Sequence, residues 1–301
     1  REALGKVHGD ITEMLRPRLR QLVETRKGNR SGELISHGEA LAELGPERLL
    51  GPDARNRAFE GLDYQVDADA VPFLPAHWVR KVKELSERIP GLNPRLFLDV
   101  PTGPGGLPVT AQQSHEWWKR LSSRERLLYS ADDSDCWYKN EAAYKDTRTT
   151  NTPQWSLITE LVPGSTGKNY MDETLFRDAF ALEHLSDVLP DEVRRLLERD
   201  IAALKEGDDG KAIRALVESQ KKGDAFIEDQ RIAAMLLTRS PGNMLLRPTL
   251  ARVIDTSFVA RRNGQNFLRN TWTRTNERSE SDVLLAGYCD PHGALVDGYR
   301  P

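Results

Sequence analysis

Apolar positions recur at helical spacing over much of the chain. The first such run is residues 4–27, where Val7, Ile11, Leu15, Leu19, Leu22 and Val23 repeat and Pro17 kinks or splits the helix. A flexible exit follows at 28–32, and then a short helix over 38–44. Residues 45–75 are rich in Gly, Pro and Asp and read as a long wrapping loop. Helix returns over residues 76–88, with Trp78, Val82 and Leu85 on one face. Residues 96–100 read as a short strand, and 101–108 as a Pro- and Gly-rich loop. Thr110 is placed to cap a helix carrying Trp117 and Trp118, and Ser122 or Ser123 to cap a second, shorter one. Residues 131–153 are polar and have no clear period.

The chain is organised around residues 153–170, where an apolar run ends at Pro163-Gly164 and a small polar loop leads to a helix start. Asn169 can cap that helix, with Asp172 and Glu173 in its first turn and Met171, Leu175, Ala179 and Leu182 on its apolar face. Pro190 opens the next helix, which Val193, Leu196, Leu197, Ile201 and Leu204 continue and Gly207 ends. A third helix is expected over 211–222 and a fourth over 225–238; a fifth opens at Ser240-Pro241 and meets Pro248. Short connections imply antiparallel packing. Residues 283–289 and 294–299 alternate in strand fashion about a turn at Asp290-Pro291-His292-Gly293. The expected fold is therefore mainly α (α+β), with a helical bundle in the C-terminal half and a small C-terminal β-hairpin. Its expected divisions are 1–75, 76–152 and 153–301, with one compact domain as the alternative.

Composition narrows the class. The chain has 301 residues, 38% apolar and 30% charged, enough for a sizeable core under a well-charged surface. A net charge of −3 exerts no overall pull toward nucleic acid or membrane. No apolar run approaches the roughly 20 residues that span a bilayer. Cys136 and Cys289 are too few for a disulfide scaffold and read as reduced thiols. The expected location is cytoplasmic, with a secreted or injected protein as the alternative.

Several segments together resemble a family of uncharacterised bacterial proteins. They are Gln154-Trp155, Leu161-Val162-Pro163-Gly164-Ser165-Thr166, Lys168-Asn169-Tyr170, Leu237-Thr238-Arg239-Ser240-Pro241 and Thr271-Trp272-Thr273-Arg274. The pattern covers roughly the C-terminal two thirds of the chain. The resemblance implies a bacterial source and carries no activity or catalytic residue with it.

Candidate chemistry is sparse. Gly164-Ser165-Thr166-Gly167-Lys168 invites a phosphate-loop reading, but Val162 and Asn169 stand where that loop needs Gly and Ser or Thr. The alternative is a weaker anion site at this helix start, made by Ser165, Thr166, Lys168 and Asn169 and completed by Arg274. The plain alternative is a Pro-Gly turn with an Asn cap. Trp117-Trp118-Lys119-Arg120, with Arg124 and Arg126, mixes aromatics with positive charge, as a nucleic-acid or partner surface would. Adjacent helical residues point about 100° apart, so at most one of these tryptophans is expected in the core. Two basic stretches stand out. One is Arg16, Arg18, Arg20, Arg26, Lys27 and Arg30; the other is Arg247, Arg252, Arg261, Arg262, Arg269, Arg274 and Arg278. Such runs are usually solvated faces, and would form a phosphate or acidic-partner patch only if they converged.

Metal and hydrolase motifs are missing from the sequence. Asp132, Asp133 and Asp135 lack the closing glutamate of a calcium loop. The six histidines stand alone, without zinc spacing. Neither Gly-x-Ser-x-Gly nor Gly-x-Gly-x-x-Gly occurs. No metal and no cofactor is expected. The first reading is a non-enzymatic binding or interaction protein, with an unknown protein partner or a small anionic ligand and no membrane. The alternatives are an enzyme or sensor for a phosphorylated or anionic ligand, and a nucleic-acid binder.

Overall fold

The computed structural model describes residues 33–122, 127–128, 136–159, 162–165, 168, 170–220, 235–236, 240–265, 267, 272–279, 282–290 and 293–298. The helix expected over 4–27, most of that over 225–238, the first basic stretch, Arg124, Arg126 and the acidic triplet Asp132, Asp133 and Asp135 lie outside them. The described chain is mainly helical with a few short strands.

The first half builds a small sheet and wraps it in helices. Leu34–Ile35 (β1) pairs antiparallel with Leu74–Pro75 (β3). His37–Leu44 (α1) starts at a capping box, in which Ser36 and Glu39 each accept from the other's backbone N–H. Leu49–Leu50 (β2) runs through Gly51 into Pro52–Ala58 (α2), with proline at the helix start and Asp53 in the first turn. Ala76–Arg88 (α3) leads to Arg95–Asp99 (β4), which pairs parallel with β2 and antiparallel with Gln154–Ile158 (β5). Leu49 stands opposite Leu96, and Trp155 opposite Leu98. Thr110 caps Ala111–Leu121 (α4), its hydroxyl accepting from the Gln113 amide at 3.1 Å. Ala142–Lys145 (α5) is a single turn. The 45–75 segment is therefore not one long loop: it holds β2, α2, a 3-10 turn at Ala68–Ala70 and β3. Elements this short are below the length at which periodicity shows.

In the second half, Tyr170–Leu185 (α6), Asp191–Glu206 (α7), Asp208–Gln220 (α8) and Pro241–Leu246 (α9) pack on one another around two apolar clusters. One cluster centres on Tyr170, Met171, Leu204 and Ile213, the other on Ala181, Val193 and Leu197. The start of α9 is capped from another helix, since Asp200 on α7 accepts from the Gly242 amide at 2.7 Å. Lys81 on α3 reaches Asp187, just past α6, at 2.9 Å and its own neighbour Glu84 at 2.7 Å.

Leu250–Arg262 (α10) had no counterpart among the expected helices. It is buried along nearly its whole length, from Leu250 and Ala251 through Val253 to Ala260. A helix covered on every side belongs at the centre of a fold, and its polar residues Asp255, Thr256 and Ser257 are buried with the apolar ones. Phe258 packs against Phe59 at 4.9 Å and Trp118 at 5.8 Å, ring centre to ring centre. The main core thus joins residues between 40 and 155 with residues between 250 and 267. The chain continues into Trp272–Ser279 (β6), Asp282–Asp290 (β7) and Gly293–Gly298 (β8), antiparallel in sequence order. The expected two-stranded hairpin corresponds to β7 and β8, and β6 adds a third strand.

Candidate functional site

Helices α2 and α10 are locked side by side by buried charge. The guanidinium of Arg55 and the carboxylate of Asp255 form a two-pronged pair with both side chains fully buried. Arg55 Nε also donates to the Leu98 carbonyl at 2.6 Å, and its guanidinium lies over the Phe97 ring. Burial pushes the Asp255 carboxyl above its usual range, against the pull of Arg55. One turn away, Arg252 donates to Asp99 at the end of β4 at 3.1 Å, and Ser156 Oγ meets the same carboxylate at 2.5 Å.

The carboxyl ends of α2 and α10 consequently emerge together. Helix α10 stops in a Schellman motif, with Gly264 N–H donating to Arg261, Gln265 N–H donating to Ala260, and Gly264 in the left-handed region at φ +70°. Asn263 Nδ2 donates to the carbonyls of Ala54 and Val259, both at 2.8 Å, which ties the two helix ends. Arg262 caps α2 through Nε to Ala58 at 3.0 Å and a terminal nitrogen to Glu60 at 3.3 Å. Arg57 Nε donates to Asn263 Oδ1 at 2.8 Å. Gln265 Nε2 reaches Pro46, just past the end of α1, at 3.3 Å.

These residues line an open hollow of about 520 Å³, bounded by Pro46, Glu47, Arg57, Arg262, Asn263 and Gln265. A guanidinium has five donor N–H groups. Arg57 uses one and Arg262 two on protein acceptors among the described residues, so donors remain for a ligand. The wall is therefore donor-rich, with one carboxylate, Glu47, and two side-chain amides. Carboxylate and phosphate oxygens are the groups that such planar donors recognise.

The residues singled out by the sequence lie elsewhere. Residues 162–165 form a turn, the Ser165 amide donating to the Val162 carbonyl at 2.9 Å. The Lys168 ammonium sits 5.1 Å from the Phe176 ring centre, over its own helix. Thr166 and Asn169 lie outside the described residues, and Arg274 is on β6, which packs against α10 and α5. The arginine that does reach the start of α6 is Arg247, stacked over Tyr170 and bonded to Glu173 at 2.6 Å. Arg177 shares that carboxylate at 3.3 Å.

Trp117 and Trp118 are both core residues at 2% exposure, which corrects the expectation of at most one. Trp117 meets Phe59 edge-on and fills the space above Gly103, where any Cβ would collide with it. Trp118 is covered by Phe258 and by the Arg261 guanidinium at 4.6 Å. Neither offers a face to a base; only Lys119 and Arg120 are exposed. Of the second basic stretch, Arg269 lies outside the described residues, and the four arginines between 247 and 262 are engaged with separate partners. Arg247 and Arg252 are paired with Glu173 and Asp99, Arg261 lies on Trp118, and Arg262 caps α2.

Sequence reading missed Arg57, Glu47, Asn263 and Gln265, and took Arg262 only as part of a charge run. Two local signals point to them: Gly51-Pro52-Asp53 as a helix start, and Asn263-Gly264 after Arg261-Arg262 as a helix stop. Among the described residues no group of three His, Cys, Asp or Glu could hold a metal, and no helix is long and apolar enough to cross a membrane. Cys136 is a buried free thiol. The chain matches no family model, no curated protein and no solved structure.

Proposed function

We propose that this is a non-enzymatic, cytoplasmic binding protein of bacterial origin that holds a small anionic ligand between the carboxyl ends of α2 and α10. The observation that carries the reading is the pair Arg57 and Arg262, two guanidiniums fixed by Asn263 and by backbone carbonyls on the wall of one hollow. Fixed donors lose little freedom when a ligand arrives, which is what a specific site needs. The bacterial source rests on the resemblance carried by residues 154–274. The helix ends themselves present partial negative charge, so the arginines first neutralise the site and only their remaining donors attract the ligand. Affinity is therefore expected in the micromolar to millimolar range, roughly −4 to −8 kcal/mol. Calorimetric titration with mono- and dicarboxylates, amino acids and sugar phosphates tests it. At least one class should bind the wild type and lose roughly tenfold or more in affinity with Arg57→Gln. No heat from any class, or equal binding by the variant, refutes the site.

A further inference from the structure

We infer that the ligand of this hollow is a zwitterion of the amino-acid class, an α-ammonium carboxylate, and not a plain anion. The inference rests on the binding reading above and adds the other half of the ligand. Arg57 and Arg262 supply the half that takes a carboxylate. Glu47 supplies the opposite half. Its carboxylate is folded back toward Gly45, where a Cβ would lie 2.7 Å from Oε1, and Gly45 itself has φ +76°, a conformation that favours glycine. Glu47 has no ion-pair partner among the described residues and stands on the wall of the same hollow. A plain anion placed there would be repelled by it.

A second observation points the same way. Gln265 Oε1 is buried and accepts no hydrogen bond among the described residues, while its amide nitrogen is held by Pro46. A buried carbonyl oxygen of this kind favours a donor. An ammonium has three N–H donors and no acceptor. It would meet Glu47 on the wall, near helix carboxyl ends that favour positive charge, and Gln265 Oε1 only once that side chain turns its covered oxygen toward the hollow. The carboxylate of the same molecule would then face the arginines. The hollow, at about 520 Å³, has room for the side chain of a free amino acid or for a very short peptide, and being open it places no tight limit on that side chain.

The test compares glycine, leucine, phenylalanine, glutamate and lysine with the acids that lack their α-amino group, each titrated into the full chain by calorimetry. The expected result is that at least one amino acid binds roughly tenfold or more tightly than its deaminated acid. Glu47→Gln should bring the two to the same affinity, weakening the amino acid and tightening the acid that the carboxylate no longer repels. Glu47 is exposed, so this variant keeps the fold. If the acids bind as tightly as the amino acids and Glu47→Gln changes neither, the zwitterion is wrong and the anion site stands. If neither series binds at tens of millimolar and no other anion does, both readings fall.

Discussion

Arg55 and Asp255 are 200 positions apart in the chain and meet with no exposed surface on either side chain. Removing two charges from water is costly, and their attraction roughly repays it only while both are present. Asp255→Asn or Arg55→Met alone should therefore destabilise the protein by about 3–5 kcal/mol in urea unfolding, because the remaining group is left uncompensated. Replacing both, as Arg55→Met with Asp255→Leu, should recover most of that loss; a double variant as unstable as the sum of the singles would show that the pair's value is not mutual. None of this pairing is legible in the sequence, where Arg55 reads as one polar residue in a loop and Asp255 lies among the arginines of the second basic stretch. The tryptophans failed for a related reason. Alternation around a helix predicts one inward residue only when one side of the helix is covered. Helix α4 has Phe59 on one side of Trp117 and Phe258 on another side of Trp118.

At the scale of elements, β5 and the β1–β3 ribbon give opposite expectations for two aromatic residues. Trp155 on β5 is 8% exposed, and its indole N–H donates to the Pro72 carbonyl at 2.7 Å. Truncation to alanine removes packing and a satisfied donor, and should cost about 3–5 kcal/mol. Phe73, beside β3, is 64% exposed, as Leu34 on β1 is at 61%. Phe73→Ser should change unfolding free energy by no more than about 0.5 kcal/mol. The two variants measured side by side under denaturant decide it; equal losses would mean that Phe73 is covered in solution. Elements with a full turn or more of one-sided periodicity were legible. Helix α3 spans the residues expected of it, β4 lies within one residue of the expected strand, and Pro190 and Gly207 bracket α7. Helix α2 is seven residues and β2 is two, too short to repeat a pattern. Helix α10 has no exposed polar face to set its period, since its polar residues lie among the buried ones, and its β-branched residues weaken a propensity argument. The candidate site is built from the ends of these two helices, so it was hidden with them.

Across the whole molecule, Lys81 joins the sheet-bearing half to the helices that follow it. Burial alone would pull Lys81 down, but hydrogen bonds to Glu84 and Asp187 outweigh it and leave the ammonium above its ordinary value. Hydrogen bonds from Lys81 and then Arg88 hold Glu84 below its ordinary value. The lowered carboxyl adds stability that is present above the unfolded carboxylate pKa and disappears as pH falls through the folded one. The raised ammonium adds stability that is present below the unfolded lysine pKa and disappears as pH rises through the folded one. The stability difference between wild type and Lys81→Met should thus be level from about pH 5 to 10 and shrink on both sides. Urea midpoints across pH for the two proteins measure it. A difference that stayed constant at both extremes would leave the clamp without an electrostatic part.

The insertion of α10 between α2 and α4 also sets an order of events during synthesis. Residues up to Trp155 can assemble their sheet, yet the surface that Phe258 and Ile254 will cover stays wet until the chain past Phe267 has left the ribosome. That is about 100 residues later, roughly 5–20 s at ordinary rates of translation. For that interval the nascent chain leaves bare the faces of Phe59 and Trp118 that Phe258 later covers. The capture of this late segment by an early one closes a long loop, which slows that step.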